Sequence, residues 1–149
     1  MLIVCAAALV GGCRKQGDGG HPPAPVLPGG TGGATAREAV ERFMTAARVQ
    51  DLDAMSQVWG TASGPVRATM SRPEWEMREV VFMRCLRHES WRVLGEAPAA
   101  ASERLMIVET RFRDLTRSTN FYAVLGPQQR WYVRAFDMTP LESICQRPL

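Results

Sequence analysis

Lysine is almost missing from this chain: of its 18 basic residues, only Lys15 is not an arginine. So one-sided a choice reflects genomic codon usage rather than a nucleic-acid surface. The 15 acidic residues are interspersed among the arginines, and no basic block forms. Net charge is only +3, and no nucleic-acid partner is expected. Histidine is scarce as well. His21 and His88 are the two, and neither they nor the four cysteines show paired ligand spacing, which excludes an ordinary zinc site. No metal and no cofactor is expected. The apolar run from Leu2 to Val10 has nine residues, far short of the ~20 that a membrane-spanning helix needs. No catalytic motif stands above background.

That short run has a different use. It leads into Leu9-Val10-Gly11-Gly12-Cys13, after which the composition changes completely. Its length suits a signal h-region of ~7–15 residues, and small residues let an extended chain fit a peptidase cleft. The stretch resembles the lipobox of bacterial lipoprotein precursors, in which a signal peptidase cuts just before a lipid-modified cysteine. The resemblance implies that residues 1–12 are a signal peptide, that Cys13 carries lipid such as palmitate, and that the membrane is a partner through this anchor. No Lys or Arg precedes Cys13, so the positive n-region is missing and the true start is expected upstream. Arg14 stands where an Asp would signal retention in the inner membrane. The expected place is therefore the cell envelope, at the outer membrane and facing the periplasm. A buried N-terminal strand is the alternative, but the tract that follows gives it nothing to pair with.

Residues 13–34 are expected to form the lipidated cysteine and a flexible linker. From 14 to 34 there are seven Gly and four Pro, with only Val26 and Leu27 as sizeable hydrophobes. That is too little apolar surface to offset the entropy of ordering. Cys5 leaves with the signal peptide and Cys13 is taken by lipid. Cys85 and Cys145 remain, an even pair in an oxidising compartment, so a disulfide between them is expected. Two separate buried thiols are the alternative.

The folded domain is expected over 35–149. Thr35-Ala36-Arg37-Glu38 reads as a capping box, with Val40, Phe43, Met44 and Ala47 following at helical spacing. Asp51 can cap a second helix that sets Leu52, Met55 and Trp59 on one face. Gly60 to Pro65 reads as a loop. Ser71-Arg72-Pro73-Glu74 reads as another capping box, and the helix it opens carries a stripe of Met77, Val80, Val81 and Cys85, expected toward the core.

After His88 the period becomes alternating. Strands are expected at Trp91–Leu94, Leu105–Asp114, Thr119–Leu125 and Arg130–Met138. Short connections among the last three imply an antiparallel meander. In the long strand Met106, Val108, Thr110 and Phe112 share one face, with Glu109, Arg111 and Arg113 on the other. Thr139-Pro140-Leu141-Glu142 reads as a third capping box opening a terminal turn that carries Cys145. The fold class is α+β: N-terminal helices packed on a curved antiparallel sheet of about four strands.

The run Ala39 to Ala47 followed by Asp51-Leu52-Asp53-Ala54-Met55 resembles the opening of nuclear transport factor 2-like, or SnoaL-like, domains. The resemblance implies a cone-shaped, cystatin-like roll with a pocket between helices and sheet. Some members of that family are isomerases or cyclases, and others bind or dimerise. An enzyme would need a base in the pocket beside a hydrogen-bond donor. The candidates are Glu109, Asp137, His88, Tyr122 and Tyr132, and each has an ordinary reading. Glu109 suits an exposed ion pair among Arg111 and Arg113, Asp137 ends a strand, His88 suits a helix C-terminus, and the tyrosines suit half-buried strand sites. No catalytic residue carries over. Trp59, Trp75, Trp91 and Trp131 read as core packing. Phe43, Trp59, Tyr122, Glu109 and Arg111 are the expected pocket residues.

Binding rather than catalysis is therefore expected: a lipid-anchored envelope protein whose domain is a small-ligand-binding or accessory module for an apolar or anionic ligand. One alternative is an interaction subunit forming a homodimer through its outer sheet face, since the last two strands carry apolar residues on both faces. The other is a pocket enzyme of isomerase or cyclase type.

Overall fold

The structure, a computed structural model, describes residues 30–148. The expected signal peptide, Cys13 and the expected linker up to Gly29 lie outside the described residues. Helix α1 (Ala36–Val49) starts where Thr35 accepts the Glu38 N–H at 3.1 Å, while Glu38 accepts the Ala34 N–H at 2.7 Å. Its buried face holds Ala39, Val40, Phe43, Met44 and Ala47, as its spacing requires. Asp51 caps α2 (Leu52–Val58) by accepting the Ala54 N–H at 2.9 Å. The stretch read as a loop pairs as a minute hairpin, β1 (Gly60–Thr61) with β2 (Gly64–Pro65), before the single turn α3 (Val66–Thr69).

Helix α4 (Arg72–Cys85) corrects two expectations. Ser71 makes no side-chain cap bond, although Pro73 does sit in the first turn. The helix is also turned the other way. Met77, Val80 and Val81 are 66%, 53% and 50% exposed, whereas Trp75 and Glu79 are buried with Cys85. The physical reason is a second stripe on the opposite face. Trp75, Glu79, Phe82, Met83 and Leu86 recur at helical spacing and bring two large aromatics to the core.

Four strands follow: β3 (Ser90–Pro98), β4 (Glu103–Phe112), β5 (Leu115–Leu125) and β6 (Trp131–Phe136). They pair in chain order as one antiparallel meander. A bulge between Val93 and Gly95 carries β3 past the glycine expected to end it. Met106, Val108, Thr110, Phe121, Ala123 and Val133 are buried, and α1 packs across β4, β5 and β6. The class is α+β, but the helices are not all N-terminal: α5 (Glu142–Cys145) follows the sheet. Thr139 caps no helix. Its N–H is held by Asp137 Oδ1 at 2.9 Å. Cys85 and Cys145 are disulfide-bonded, with Cα atoms 4.1 Å apart, so the end of α4 is fastened to α5.

The described end of the linker is also part of the body. Gly33 exchanges both backbone bonds with Trp131, at 2.8 and 2.9 Å, and the Gly32 N–H reaches the Gln57 carbonyl at 2.8 Å. A Cβ at Gly33 would meet Ala39 N at 2.4 Å, and Gly32 has φ +65 with its own Cβ position 2.8 Å from the Trp131 carbonyl. Glycine at these two positions serves close approach rather than flexibility. The folded body thus begins before Thr35.

Candidate functional site

A file of rings crosses the core. Phe43 lies 6.2 Å from Phe121 and from Phe136, and Phe121 stacks on Phe136 at 5.1 Å. Phe82 of α4 meets Phe136 edge-on at 5.2 Å, and Trp59 meets Phe82 at 5.0 Å. The end of this file is open. Trp59, Phe82, Val133, Phe136 and Met138 line a groove of about 270 Å³ between α4 and β6, with Arg78 and Arg134 in its lining. Sequence order hides the groove, because Trp59 ends α2, Phe82 is on α4 and Phe136 closes β6. Only the antiparallel return of β6 brings them together.

Both guanidiniums are held by carboxylates. Arg78 pairs with Glu74 at 3.2 Å, and Arg134 pairs with Glu103 at 2.5 and 3.3 Å while lying over the Tyr122 ring. The Arg134 guanidinium thus lies with Tyr122 on the outer sheet face, which leaves Arg78 as the cation beside the groove; its exposed pair with Glu74 is worth ~0–1 kcal/mol, so an incoming anion can compete for it. An apolar wall with a cation beside it suits an apolar body bearing a carboxylate or phosphate.

Behind α4 lies a group the sequence reading missed. Glu79 is fully buried, and neither carboxyl oxygen has a hydrogen-bond partner. Burial pushes its pKa up to about 9, Asp53, Glu76 and Asp51 push the same way, and only Arg67 opposes. Asp53 Oδ1 and Gln57 Oε1 are further buried acceptors without a donor. At neutral pH Glu79 is therefore a neutral carboxylic acid, able to donate one proton among acceptors. The signal was there: a glutamate inside the second apolar stripe of α4 must be buried when that stripe packs inward.

The expected pocket residues do not converge. Phe43 is sealed in the core and Trp59 walls the groove. Glu109 and Arg111 sit on the outer sheet face, in a shallow cleft of about 390 Å³ with Ser90, Trp91, Arg92 and Thr116. Glu109 is taken by Arg92 at 2.8 Å, the ordinary ion pair. Tyr122 is on that outer face too, because the pleat sends Phe121 and Ala123 inward. His88 is no helix-end cation. It lies past the end of α4, buried, with Nδ1 2.6 Å from the Leu86 carbonyl, and burial lowers its pKa. Asp137 ends β6 and holds the next turn, and Tyr132 is buried with its hydroxyl 3.2 Å from Thr31 Oγ1. Trp59 and Trp75 are in the core, with Trp91 and Trp131 packed against it.

A hollow of about 310 Å³ along α1 and α2 is lined by Glu38 and Asp51, but both carboxylates are already used as helix caps. Among the described residues no group of three acidic, histidine or cysteine side chains could hold a metal, and no helix is long and apolar enough to cross a membrane. Comparison of the chain with protein-family models, with curated proteins and with solved structures returns no match.

Proposed function

We propose that this is a lipid-anchored cell-envelope protein whose folded domain, a cone-shaped roll of the nuclear transport factor 2-like kind, holds a small amphiphilic anion without transforming it. One observation carries the binding reading: the groove joins the aromatic wall of Trp59, Phe82 and Phe136 to Arg78. The order of elements supports the roll: helices, a strand pair between the second helix and the long α4, then an antiparallel meander. Cys13 in its lipobox-like setting supports the anchor.

Calorimetric titration with dodecanoate and with dodecanol tests the binding. Saturable binding of the acid is expected, with the alcohol bound about tenfold more weakly because charge-assisted bonds contribute ~1.5–3 kcal/mol. Arg78→Ala should remove that preference. Absence of saturable binding by the unmodified chain would sink the reading. Labelled palmitate should enter the chain and not its Cys13→Ser variant, and label kept by the variant rejects the anchor.

A further inference from the structure

The face that α4 turns to solvent has no use in the groove. Met77, Val80 and Val81 lie three and four positions apart and so form one strip. Val81 joins two hollows. With Val80, Met83, Arg84 and Arg87 it lines one of about 450 Å³, and with Met138, itself 41% exposed, it lines another beside the disulfide. A contiguous exposed apolar strip on a small domain marks a place of contact.

The charge at the C-terminal end of the strip is predominantly basic, two arginines against Glu142. Arg84 donates Nε–H to the Cys145 carbonyl, and Arg87 donates to the carbonyls of Ile144, Arg147 and Pro148. Carbonyls occupy the donors but cancel no charge. Among the described residues, no ion pair places a carboxylate on either arginine. Glu74 and Glu76 of α4 are taken by Arg78 and Arg72. Glu142 borders the second hollow and accepts from Gln146 at 2.9 Å.

A second copy covers this strip badly. In a two-fold contact centred on the strip, Arg84 and Arg87 meet the N-terminal half of the second copy's α4, whose two carboxylates are already held by Arg72 and Arg78. An anionic bilayer has the complementary sign: the apolar side chains enter the headgroup boundary and the guanidiniums meet phosphates. We propose that the exposed face of α4, Met77, Val80 and Val81 with Arg84 and Arg87 at its end, docks the domain on the surface of an anionic lipid bilayer. The inference rests on the anchor reading for its local concentration. Residues 14–29 cannot hold Gly30 more than about 60 Å from Cys13 even if fully extended, so a contact that is weak in solution becomes intramolecular.

The test uses the full chain carrying Cys13→Ser, which removes the anchoring cysteine, in sedimentation with vesicles of phosphatidylcholine alone or mixed with phosphatidylglycerol. All chains compared differ only in α4, so the apolar run at residues 2–10 contributes equally. Binding to the phosphatidylglycerol vesicles is expected, reduced about tenfold or more by Val80→Glu with Val81→Glu. Arg84→Gln should cost about fivefold on those vesicles and nothing on the neutral ones. Melting temperatures should stay with the parent, because the substituted side chains are exposed. Unchanged vesicle binding in both variants overturns the proposal. So does a dimer that the glutamates dissolve, or a melting temperature that they lower by many degrees, since the strip would then be covered by protein. The anchor is read separately by palmitate incorporation at Cys13, and its failure leaves the vesicle comparison interpretable.

Discussion

Helices α1 and α4 are each 14 residues long and pack into the same core, yet they are built on opposite plans. Helix α1 has one apolar face, a side-chain cap at its start, and charged residues elsewhere. Helix α4 has apolar residues on both faces, no side-chain cap, a buried acid in the middle and a disulfide at its end. The first is held by its own sequence and by burial. The second depends on its neighbours, and its surplus apolar face is free for a further contact.

Truncating a buried residue of α1 and an exposed residue of α4 gives the widest contrast. Phe43→Ala removes a fully buried ring from the aromatic file and should cost about 3–5 kcal/mol in urea unfolding, whereas Val80→Ala should stay within about 0.5 kcal/mol. If Val80→Ala costs as much, α4 is not exposed where it is drawn here. Next in size is the covalent tie. Replacing Cys85 and Cys145 with Ser frees a loop spanning a separation of 60 residues and should cost about 2–4 kcal/mol, read against the same transition in the oxidised parent. Peptide mapping without reductant should recover the two cysteines joined.

The buried acid gives the third contrast, and here pH supplies the sign. Glu79 stays protonated in the folded chain up to about 9, while in the unfolded chain it ionises near 4.5. Its contribution to stability is therefore fully present below about 4.5, falls as pH rises, and levels off above about 9. Glu79→Gln should leave stability at pH 4 nearly unchanged and raise it at pH 8 by a few kcal/mol. Parallel pH profiles for the two chains would show that Glu79 is not buried as a neutral acid. The smallest contrast is at the caps: Thr35→Ala should cost about 1 kcal/mol and Ser71→Ala close to nothing, by thermal melts.

The same contrast explains what could be read from residue order. In α1 the period, the cap and the boundary agree, and the meander could be read because alternation and short turns are local signals. In α4 two apolar stripes compete, and pattern alone does not say which packs inward. The outcome is decided by Phe82 finding Trp59 and Phe136 from distant parts of the chain, with Trp75 buried in the same core. The groove was illegible for the same reason. Trp59 could be singled out as an aromatic, but not its junction with Phe136, which requires the register of β6. Alternation already put Glu109 and Arg111 on the strand face opposite Met106 and Val108, and the structure turns that face outward, away from Phe43.

The docked glycines have a mechanical meaning. Any pull transmitted from residues before Gly30 enters the domain through the Gly33–Trp131 bonds and through two arginines. Arg42 donates to the Gly30 and Gly32 carbonyls, and Arg130 donates to those of Thr31 and Gly32. Arg42 belongs to α1 and Arg130 leads into β6, so traction is divided between a helix and the edge of the sheet.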